Sequence, residues 1–336
     1  MNIYDIAAMS GVSIATVSRV VNGSQKVSEK TRQRVLSIIE KNGYTPNVFA
    51  QGLGLHTMHT IGILVPDIAD PYMSSAVSYL EGQLKGYGYD CILSCSGFEQ
   101  SSKEARVQML LSKHIDALIL VGSTYTGHGR SERETQYIRN AARQIPVFVL
   151  NGVVSGENVY SSVSCDRQAV CEAVGALLRT GRRRILFLTD SKSYSAREKR
   201  AGYKEAYQAA GLAVPRLLMQ HVPDNIQGVK EFLLHSSLTF DAAVATDDSM
   251  AVGVIKYAVG RGICIPRDLA VIGYNNSALA SCSEPELTSI DNRSRQLCQE
   301  TVDRLICVLE GSTSVPQHLC VPCQLIQRAT TDFKTV

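Results

Sequence analysis

Two short helical patterns lie within the first 22 residues, with Gly11 in the turn between them. Apolar residues recur at helical spacing, so each pattern has one apolar face. Gly11 tolerates the left-handed backbone that such a tight turn needs, and Ser13 stands where an N-cap belongs. The sequence therefore predicts a helix-turn-helix. The apolar positions are Ile3, Ile6 and Ala7 in the first helix and Val17, Val20 and Val21 in the second.

A third helix is predicted directly after this pair. Ser28 is an N-cap candidate, and Glu29 places an acid in the first turn, where it complements the helix dipole. One apolar face follows, and Asn42-Gly43 is a typical helix end. The apolar face consists of Val35, Ile38 and Ile39. Three short helices would make a small all-α headpiece over residues 1–45.

The charge of the chain is concentrated in this N-terminal module. Residues 1–58 contain six Lys or Arg and three Asp or Glu, which accounts for the whole net charge of +3. A basic module of this size suits contact with phosphates. The start of the second helix would enter the DNA major groove, with Arg19 suited to guanine and Ile14 to thymine methyl groups. We expect DNA contacts from Ser13, Ile14, Ala15, Thr16, Ser18, Arg19 and Asn22.

An ordered series of short matches makes this module resemble the headpiece of the LacI (lactose repressor) family of bacterial transcription regulators. The resemblance extends more loosely to the C-terminus. It implies a sequence-specific DNA-binding regulator, most simply a repressor, that binds a palindromic operator on double-stranded DNA as a homodimer or tetramer. The matching runs are Ile3–Ala7, Gly11–Ser13, Ala15–Asn22, Val27-Ser28, Thr31-Arg32, Gly43-Tyr44 and Pro46-Asn47.

Residues 46–59 form the predicted linker. The family resemblance implies a hinge helix that enters the minor groove, with contacts from Asn47 and Ala50 and with Leu53 wedged into a base step. Gly52 and Gly54 depart from a good helix, since each costs about 1 kcal/mol relative to alanine in a helix interior. A flexible tether is the alternative interpretation of this segment.

Strand and helix patterns alternate from Thr60 onward, which predicts a parallel α/β architecture. Two doubly wound parallel sheets in tandem resemble the two-lobed periplasmic sugar-binding-protein fold, here as an effector-binding and dimerisation core over residues 60–336. The predicted strands are 61–65, 90–94, 117–121, 147–150, 185–189, 217–220, 242–245 and 269–274. The predicted helices are 74–87, 104–113, 135–143, 169–180, 198–210, 226–235, 250–261 and 295–309.

In that fold the chain crosses between the lobes three times. We expect the crossings near residues 153–158, 284–291 and 315–320. The first lobe would then span about 60–155 and 290–317, and the second lobe about 156–288 and 318–336. A ligand would bind between the lobes, at the carboxyl ends of the strands.

The segments at those strand ends supply the predicted effector site. Two positions depart from the family pattern, because Lys199 stands where sugar- and purine-binding members usually have Arg, and Asn275 stands where they usually have Asp. With Arg197 and Arg200 nearby, these changes favour an anionic sugar derivative over a simple neutral sugar. Each segment has an ordinary alternative as a solvated loop or helix cap, Asp248 included. The predicted effector contacts are Pro71, Tyr72, Ser123, Lys199, Asp247 and Asn275.

The ten cysteines do not indicate a disulfide framework, since the chain is long and opens without a signal-peptide pattern. Eight lie within or beside apolar patterns and are interpreted as reduced packing residues. Cys320 and Cys323 form a lone CxxC, which is a weak metal or redox signal. The eight are Cys91, Cys95, Cys165, Cys171, Cys264, Cys282, Cys298 and Cys307. We expect no metal, no cofactor, no membrane span and a cytoplasmic location.

Other functional classes fit the sequence less well. The chain has no GxSxG, HExxH, P-loop or GxGxxG motif, and its seven histidines follow no metal-ligand spacing, so an enzyme is not expected. A solute-binding receptor would explain the core but not the attached headpiece. A regulator that answers to a protein corepressor instead of a small molecule remains an alternative.

Overall fold

A computed structural model describes residues 2–21, 24–43, 57–127 and 132–333. The N-terminal module contains three helices, α1 (Ile3–Ser10), α2 (Ile14–Val21) and α3 (Glu29–Lys41). The predicted apolar faces meet in a small core, in which Ile6, Val17 and Val35 are completely buried. The headpiece predicted from helical periodicity is therefore confirmed, and its core contains few large side chains.

The first lobe is built on a six-stranded parallel sheet in the order β11-β5-β4-β3-β1-β2. Its central strands β1, β3 and β4 are buried nearly throughout, as expected for a parallel sheet covered on both faces. The strands are β1 (Thr60–Val65), β2 (Asp90–Cys95), β3 (Ala117–Val121), β4 (Val147–Leu150), β5 (Val159–Ser164) and β11 (His318–Val321).

The second lobe repeats this architecture with the order β12-β10-β9-β8-β6-β7. All pairs are parallel except the first in this order, since β12 runs antiparallel to β10. The prediction of two doubly wound sheets is confirmed, apart from this one antiparallel edge. The strands are β6 (Ile185–Thr189), β7 (Met219–His221), β8 (Ala242–Ala245), β9 (Ala270–Tyr274), β10 (Thr288–Asp291) and β12 (Gln324–Ile326).

Helices cover both faces of each sheet. α12 returns to the first lobe as predicted, where it packs against α4, β4 and β5. The helices of the core are α4 (Pro71–Gly86), α5 (Gln100–Leu111), α6 (Gln136–Ala142), α7 (Asp166–Arg179), α8 (Tyr194–Ala209), α9 (Ile226–His235), α10 (Asp248–Gly260), α11 (Ala278–Cys282) and α12 (Ser294–Leu309). A 3-10 turn at Ser123–Thr126 follows β3.

The predicted lobe boundaries were wrong in two places. β5 pairs with β4, and β11 pairs with β5, so both strands belong to the first sheet. The first lobe therefore includes residues up to Ser164 and again up to Val321, instead of ending near 155 and 317. The crossings lie at Cys165, between β10 and α12, and between β11 and β12.

The serines of β5 explain why that strand was not predicted. Ser162 is completely buried, although serine is usually exposed. Its hydroxyl oxygen accepts hydrogen bonds of 2.9 Å from Thr301 Oγ1 and from Arg304 Nη1. Polar partners on α12 therefore replace the apolar packing that a sequence pattern would reveal.

Candidate DNA-binding surface and inter-lobe cleft

The second helix of the headpiece has a defined start. Gly11 ends α1 with φ 64°, and the Oγ atom of Ser13 accepts a 3.2 Å hydrogen bond from the amide of Thr16. The hydroxyl groups of Ser13 and Thr16 are also 2.9 Å apart. These contacts cap the start of α2 and engage the Thr16 side chain locally.

Several of the predicted DNA contacts are exposed along one part of α2. Ser13, Ile14, Ala15 and Arg19 are exposed, with 41% of Ile14 accessible, whereas Thr16 and Ser18 are half-buried. An exposed isoleucine at the start of a short helix has no role in the headpiece core and suits contact with thymine methyl groups. The surface therefore combines the apolar side chain of Ile14 with the positive charge of Arg19.

Four of the predicted DNA contacts lie outside the described residues, and one exposed residue of the headpiece was not predicted. Asn22, Asn47, Ala50 and Leu53 lie outside the described residues, so the hinge-helix interpretation remains a prediction. Tyr4 on α1 is 66% exposed and was not predicted to have a function. Its position off the apolar face of α1 was the available signal, and its hydroxyl could donate to a phosphate.

On the first-lobe side of the cleft, Tyr72 in the first turn of α4 and Asn151 directly after β4 form a polar pair. The side-chain amide of Asn151 donates to the Tyr72 hydroxyl, while Asn151 Oδ1 has no partner among the described residues. Burial raises the pKa of Tyr72 well above its usual value, so the phenol stays protonated and can itself donate. Asn151 also adopts a left-handed backbone (φ 59°), and sequence reasoning missed it.

The other predicted first-lobe residues have simpler surroundings. Pro71 is exposed in the first turn of α4, and Asp70 caps that helix by accepting from the amides of Tyr72 and Met73 at 2.8 and 3.1 Å. Ser123 is half-buried at the start of the turn after β3. Next to it, the Oγ1 atom of Thr124 is buried without a partner among the described residues.

On the second-lobe side, Lys199 does not extend into open space. It is 7% exposed, and its Nζ donates a 3.0 Å hydrogen bond to the carbonyl of Thr246. The same Nζ lies 3.5 Å from the centroid of the Tyr274 ring. The lysine is therefore held by a carbonyl and an aromatic face, and is less available to a ligand than the sequence suggested.

Asp247 and Asn275 contact each other directly. Asn275 Nδ2 donates to Asp247 Oδ2 at 2.8 Å, and Asn275 Oδ1 accepts from Asn292 Nδ2 at 2.9 Å. Position 275 lacks the carboxylate that is usual in the family pattern, but Asp247 places a carboxylate next to it. Asn292 was missed because it follows β10, a strand that the sequence did not reveal.

The suggestion that Asp248 caps a helix was wrong. Asp247 is the N-cap of α10, accepting from the amide of Ser249 at 2.7 Å. Asp248 is completely buried and accepts from Ser277 and Ser289 at 2.6 to 2.8 Å. Burial raises its pKa to about 6, although these hydrogen bonds oppose the shift. Asp248 is therefore a structural residue of the second lobe.

Several carboxylates surround the cleft. Asp224 accepts a 2.7 Å hydrogen bond from the hydroxyl of Ser249, whose amide binds Asp247, so the two carboxylates meet at this serine. Loss of hydration and then the charge of Asp247 raise the pKa of Asp224 to about 6, even though its side chain keeps contact with solvent. Burial also raises the pKa of Asp70. The cleft is thus acidic.

Within the described ranges, no cluster of three or more His, Cys, Asp or Glu is arranged to hold a metal ion. Nor does any helix in the described part of the chain have the length and apolarity needed to cross a membrane.

Three of the five buried side-chain atoms without partners in the described structure lie just beyond carboxyl ends of strands. They are Thr124 Oγ1 after β3, Asn151 Oδ1 after β4 and Thr246 Oγ1 after β8. Buried polar groups are nearly always hydrogen-bonded, because each unpaired group costs about 1–3 kcal/mol. All three lie at the carboxyl edges of the sheets, which is where ligands bind in open α/β folds.

The two remaining members of the predicted basic cluster have different surroundings. Arg197 donates to the carbonyls of Gly127 in the first lobe and Lys192 in the second, at 3.4 and 3.3 Å. Arg200 is half-buried, and its Nε has no partner among the described residues. Arg197 therefore connects the lobes weakly.

The interpretation of the cysteines needs correction. Cys165 is bonded to Cys320, so Cys165 is not a reduced packing residue and Cys320 does not act as a pair with Cys323. Cys323 is free and lies 3.5 Å from the Tyr274 hydroxyl. Cys298 is buried as predicted. Four others proved to be exposed; these are Cys95, Cys264, Cys282 and Cys307.

A short helical module with an exposed α2 surface, joined to a two-lobed core with a polar cleft, defines a DNA-binding transcription regulator. Residues 2–47 match the family model described as bacterial regulatory proteins, lacI family, and residues 174–331 match that of the periplasmic binding protein-like domain. An HTH-type transcriptional regulator from Lachnoclostridium phytofermentans is 45% identical over 336 residues, covering 99% of this chain and 100% of that protein.

Two solved structures are similar over nearly the whole chain. The lac repressor dimer bound to operator and the anti-inducer ONPF aligns with a TM-score of 0.85 and 24% identity, covering 98% of each chain. The complex of the transcriptional regulator CelR with cellobiose aligns with a TM-score of 0.72 and 25% identity, covering 98% of this chain and 100% of that one. The chain belongs to the lacI family, and it is a transcription regulator and not an enzyme.

Proposed function

We propose that the protein represses transcription by binding a palindromic operator as a dimer, and that a carbohydrate in the inter-lobe cleft controls this binding. The observation that carries the proposal is the coexistence of two separate candidate binding surfaces in one chain. One is the exposed part of α2, and the other is the cleft with its unpaired buried atoms. Coupling between two such sites is typically worth about 1–3 kcal/mol.

The character of α2 supports direct reading of DNA sequence. Arg19 is exposed and has no ion-pair partner among the described residues, so its guanidinium is free to form two hydrogen bonds with a guanine edge. Ile14 offers an apolar contact that distinguishes thymine from cytosine. A dimer with two-fold symmetry would bring two copies of this surface to two half-sites of a palindrome.

The chemistry of the cleft supports a ligand rich in hydroxyl groups. Hydroxyls both donate and accept, so they would pair with the carboxylate of Asp247, the phenol of Tyr72 and the open Oδ1 of Asn151. The CelR structure, a relative of similar fold, contains cellobiose. The anionic ligand expected from the sequence has less support, because Lys199 is already engaged and Asp70, Asp224 and Asp247 would repel an anion.

The DNA half of the proposal is tested by selecting genomic fragments with the purified protein. We expect one enriched palindrome. Arg19→Ala should weaken binding to it by roughly 1–3 kcal/mol and relax the preference at one base position in each half-site. Arg34→Ala is the matched control, since Arg34 is an exposed arginine on α3 and its loss removes the same charge.

Arg34→Ala should lower affinity for all fragments alike and leave the preferred sequence unchanged. If both variants retain the wild-type preference, α2 does not read the operator. If no fragment is enriched at low salt, with or without added sugars, the proposal of a sequence-specific repressor is wrong.

The cleft half is tested by calorimetry with neutral mono- and disaccharides and with their phosphates. A neutral sugar should bind to the wild type and at least tenfold more weakly to Asn151→Ala, because that variant removes both an open acceptor and the partner of Tyr72. Asn140→Ala, an exposed asparagine on α6, serves as the control. Tight binding of phosphates alone would restore the anionic hypothesis, and equal binding by both variants would exclude this cleft.

A further inference from the structure

Cys165 and Cys320 join two neighbouring strands of the first sheet. β5 and β11 are parallel, with Cys320 opposite Val163 and Val321 opposite Ser164, and the amide of Cys165 donates to the carbonyl of Val321 at 2.9 Å. The two Cα atoms are 5.6 Å apart, within the range of natural disulfides. Strand pairing alone therefore keeps the two cysteines within bonding reach, whether they are oxidised or reduced.

Both cysteines lie close to crossings between the lobes. Cys165 is the single residue between the last residue of β5, in the first lobe, and the first residue of α7, in the second lobe. Cys320 precedes Val321, after which the chain crosses to β12 in the second sheet. The Sγ–Sγ bond thus joins the crossover at Cys165 to β11, the strand that precedes the crossover to β12.

The cysteine pair is accessible from outside. Cys320 is exposed and Cys165 is half-buried. Both line a groove of about 520 Å³, together with Arg167 and Tyr194. A groove of this size accommodates a small molecule. Oxidised glutathione, in which a disulfide joins two tripeptides, can therefore reach the sulfur of Cys320.

We propose that Cys165 and Cys320 are a reversible redox switch in the hinge, which restricts movement between the lobes when it is oxidised. The Cys320 thiolate attacks oxidised glutathione, forms a mixed disulfide and releases one reduced glutathione. The Cys165 thiolate then attacks the Cys320 sulfur and releases the second. The protein loses two electrons and two protons, and one glutathione disulfide becomes two thiols.

The restriction follows from where a two-lobed protein bends. Lobe closure is absorbed by changes of φ and ψ in a few residues of the crossing segments. The amide of Cys165 is already hydrogen-bonded to Val321, and the cross-link adds a covalent bond to the edge strand of the first sheet, which further limits the φ and ψ changes open to Cys165. It also restrains the end of β11, just before the crossing from β11 to β12. The inference concerns the hinge itself, so it does not depend on which DNA or sugar the protein binds.

The first experiment titrates the full-length protein with glutathione redox buffers and traps free thiols for peptide mass spectrometry. A Cys165–Cys320 cross-link should appear in oxidising buffer and disappear in reducing buffer. Cys282→Ser, which removes an exposed cysteine on α11, should leave the titration unchanged, and Cys320→Ser should abolish it. A pair that stays fully reduced or fully oxidised over the whole glutathione range overturns the proposal.

The second experiment measures amide hydrogen exchange of both redox forms. Oxidation should slow exchange severalfold in peptides that contain residues 165–167 and 321–324. Cys165→Ser and Cys320→Ser should exchange like the reduced wild type in either buffer, which also shows that both variants are folded. If the cross-link forms but exchange at the crossings does not change, the bond does not act on the hinge and the proposed switch is wrong.

Discussion

The ammonium nitrogen of Lys199 lies 3.5 Å from the centroid of the Tyr274 ring, and it donates to the carbonyl of Thr246. Tyr274 in turn donates from its hydroxyl to Asp166 at 2.5 Å. Lys199 therefore links α8 to β9 and to the end of β8, beside the cleft. The lysine that the sequence suggested as a ligand contact is thus engaged by residues of its own lobe.

Replacing Lys199 with methionine should destabilise the second lobe. The variant keeps an unbranched chain of similar length but loses the cation–π contact and the hydrogen bond to Thr246, so we expect a loss of roughly 1–3 kcal/mol. Urea unfolding measures the change. Lys204→Met, at an exposed position of the same helix, should stay within about 0.5 kcal/mol of the wild type. Equal losses in both variants would contradict the structural role of Lys199.

Changing Asn275 to aspartate restores the residue usual in sugar-binding members of the family, yet it should be harmful here. The new carboxylate would face Asp247, which now accepts from the Asn275 amide. Two carboxylates at this distance raise the pKa of one of them, so the repulsion is fully present only when both are ionised. The variant should therefore lose more thermal stability at pH 8 than at pH 5.

Thermal unfolding at these two pH values checks this expectation. Asn140→Asp adds the same charge at an exposed site of α6 and should show no such difference. A melting temperature of Asn275→Asp that matches the wild type at pH 8 would mean that residue 275 and Asp247 do not interact as described.

Gly202 allows the close approach of α7 and α8. A Cβ atom at this position would lie 2.1 Å from the carbonyl oxygen of Arg167, which is backbone and cannot move aside easily. Gly202→Ala should therefore destabilise the protein by roughly 1–3 kcal/mol, measured by urea unfolding. Gly175→Ala on α7 meets only the flexible end of Arg179 and should be neutral or stabilising by up to about 1 kcal/mol. A stabilising Gly202→Ala would contradict this packing.

Sequence reasoning succeeded where apolar residues formed an unbroken run or recurred at helical spacing. Apolar runs such as Ala117–Val121 and Ile185–Thr189 were predicted with correct bounds, because a strand buried on both faces needs apolar residues throughout. The same reasoning missed β5, where the buried hydroxyl of Ser162 and the carbonyl of Ser161 accept hydrogen bonds from α12. Since those partners are about 140 residues away in the chain, no local pattern reveals them, and the lobe boundary was misplaced as a result.

The details of the candidate site could not be read from the sequence. The sequence predicted Tyr72, Asp247 and Asn275 as contacts in the cleft, and their role as ligand contacts stays a prediction. The sequence could not show that Lys199 is engaged by Tyr274, nor that Asn275 donates to Asp247, because both contacts join segments that are distant in sequence. Asn151 was missed for a similar reason: an asparagine after a strand is an ordinary turn residue until its unpaired buried oxygen is seen.

Asp248 should make the stability of the protein depend on pH between about 4 and 6. Its pKa is about 6 in the folded state, against about 3.9 for an ordinary aspartate. As the pH rises through this window, the unfolded chain releases the proton first, so the free energy of unfolding falls. The loss is at most about 3 kcal/mol, and it is complete above the folded pKa.

Asp248→Asn removes this titration while keeping the surrounding hydrogen bonds, since an amide can accept from Ser277 and donate to the Ser289 hydroxyl. The variant should therefore gain stability relative to the wild type as the pH rises from 4.5 to 7.5. Urea unfolding of both proteins at several pH values measures this gain, and other titrating groups cancel in the difference. A difference that stays constant over this range would show that Asp248 is ionised throughout, despite its complete burial.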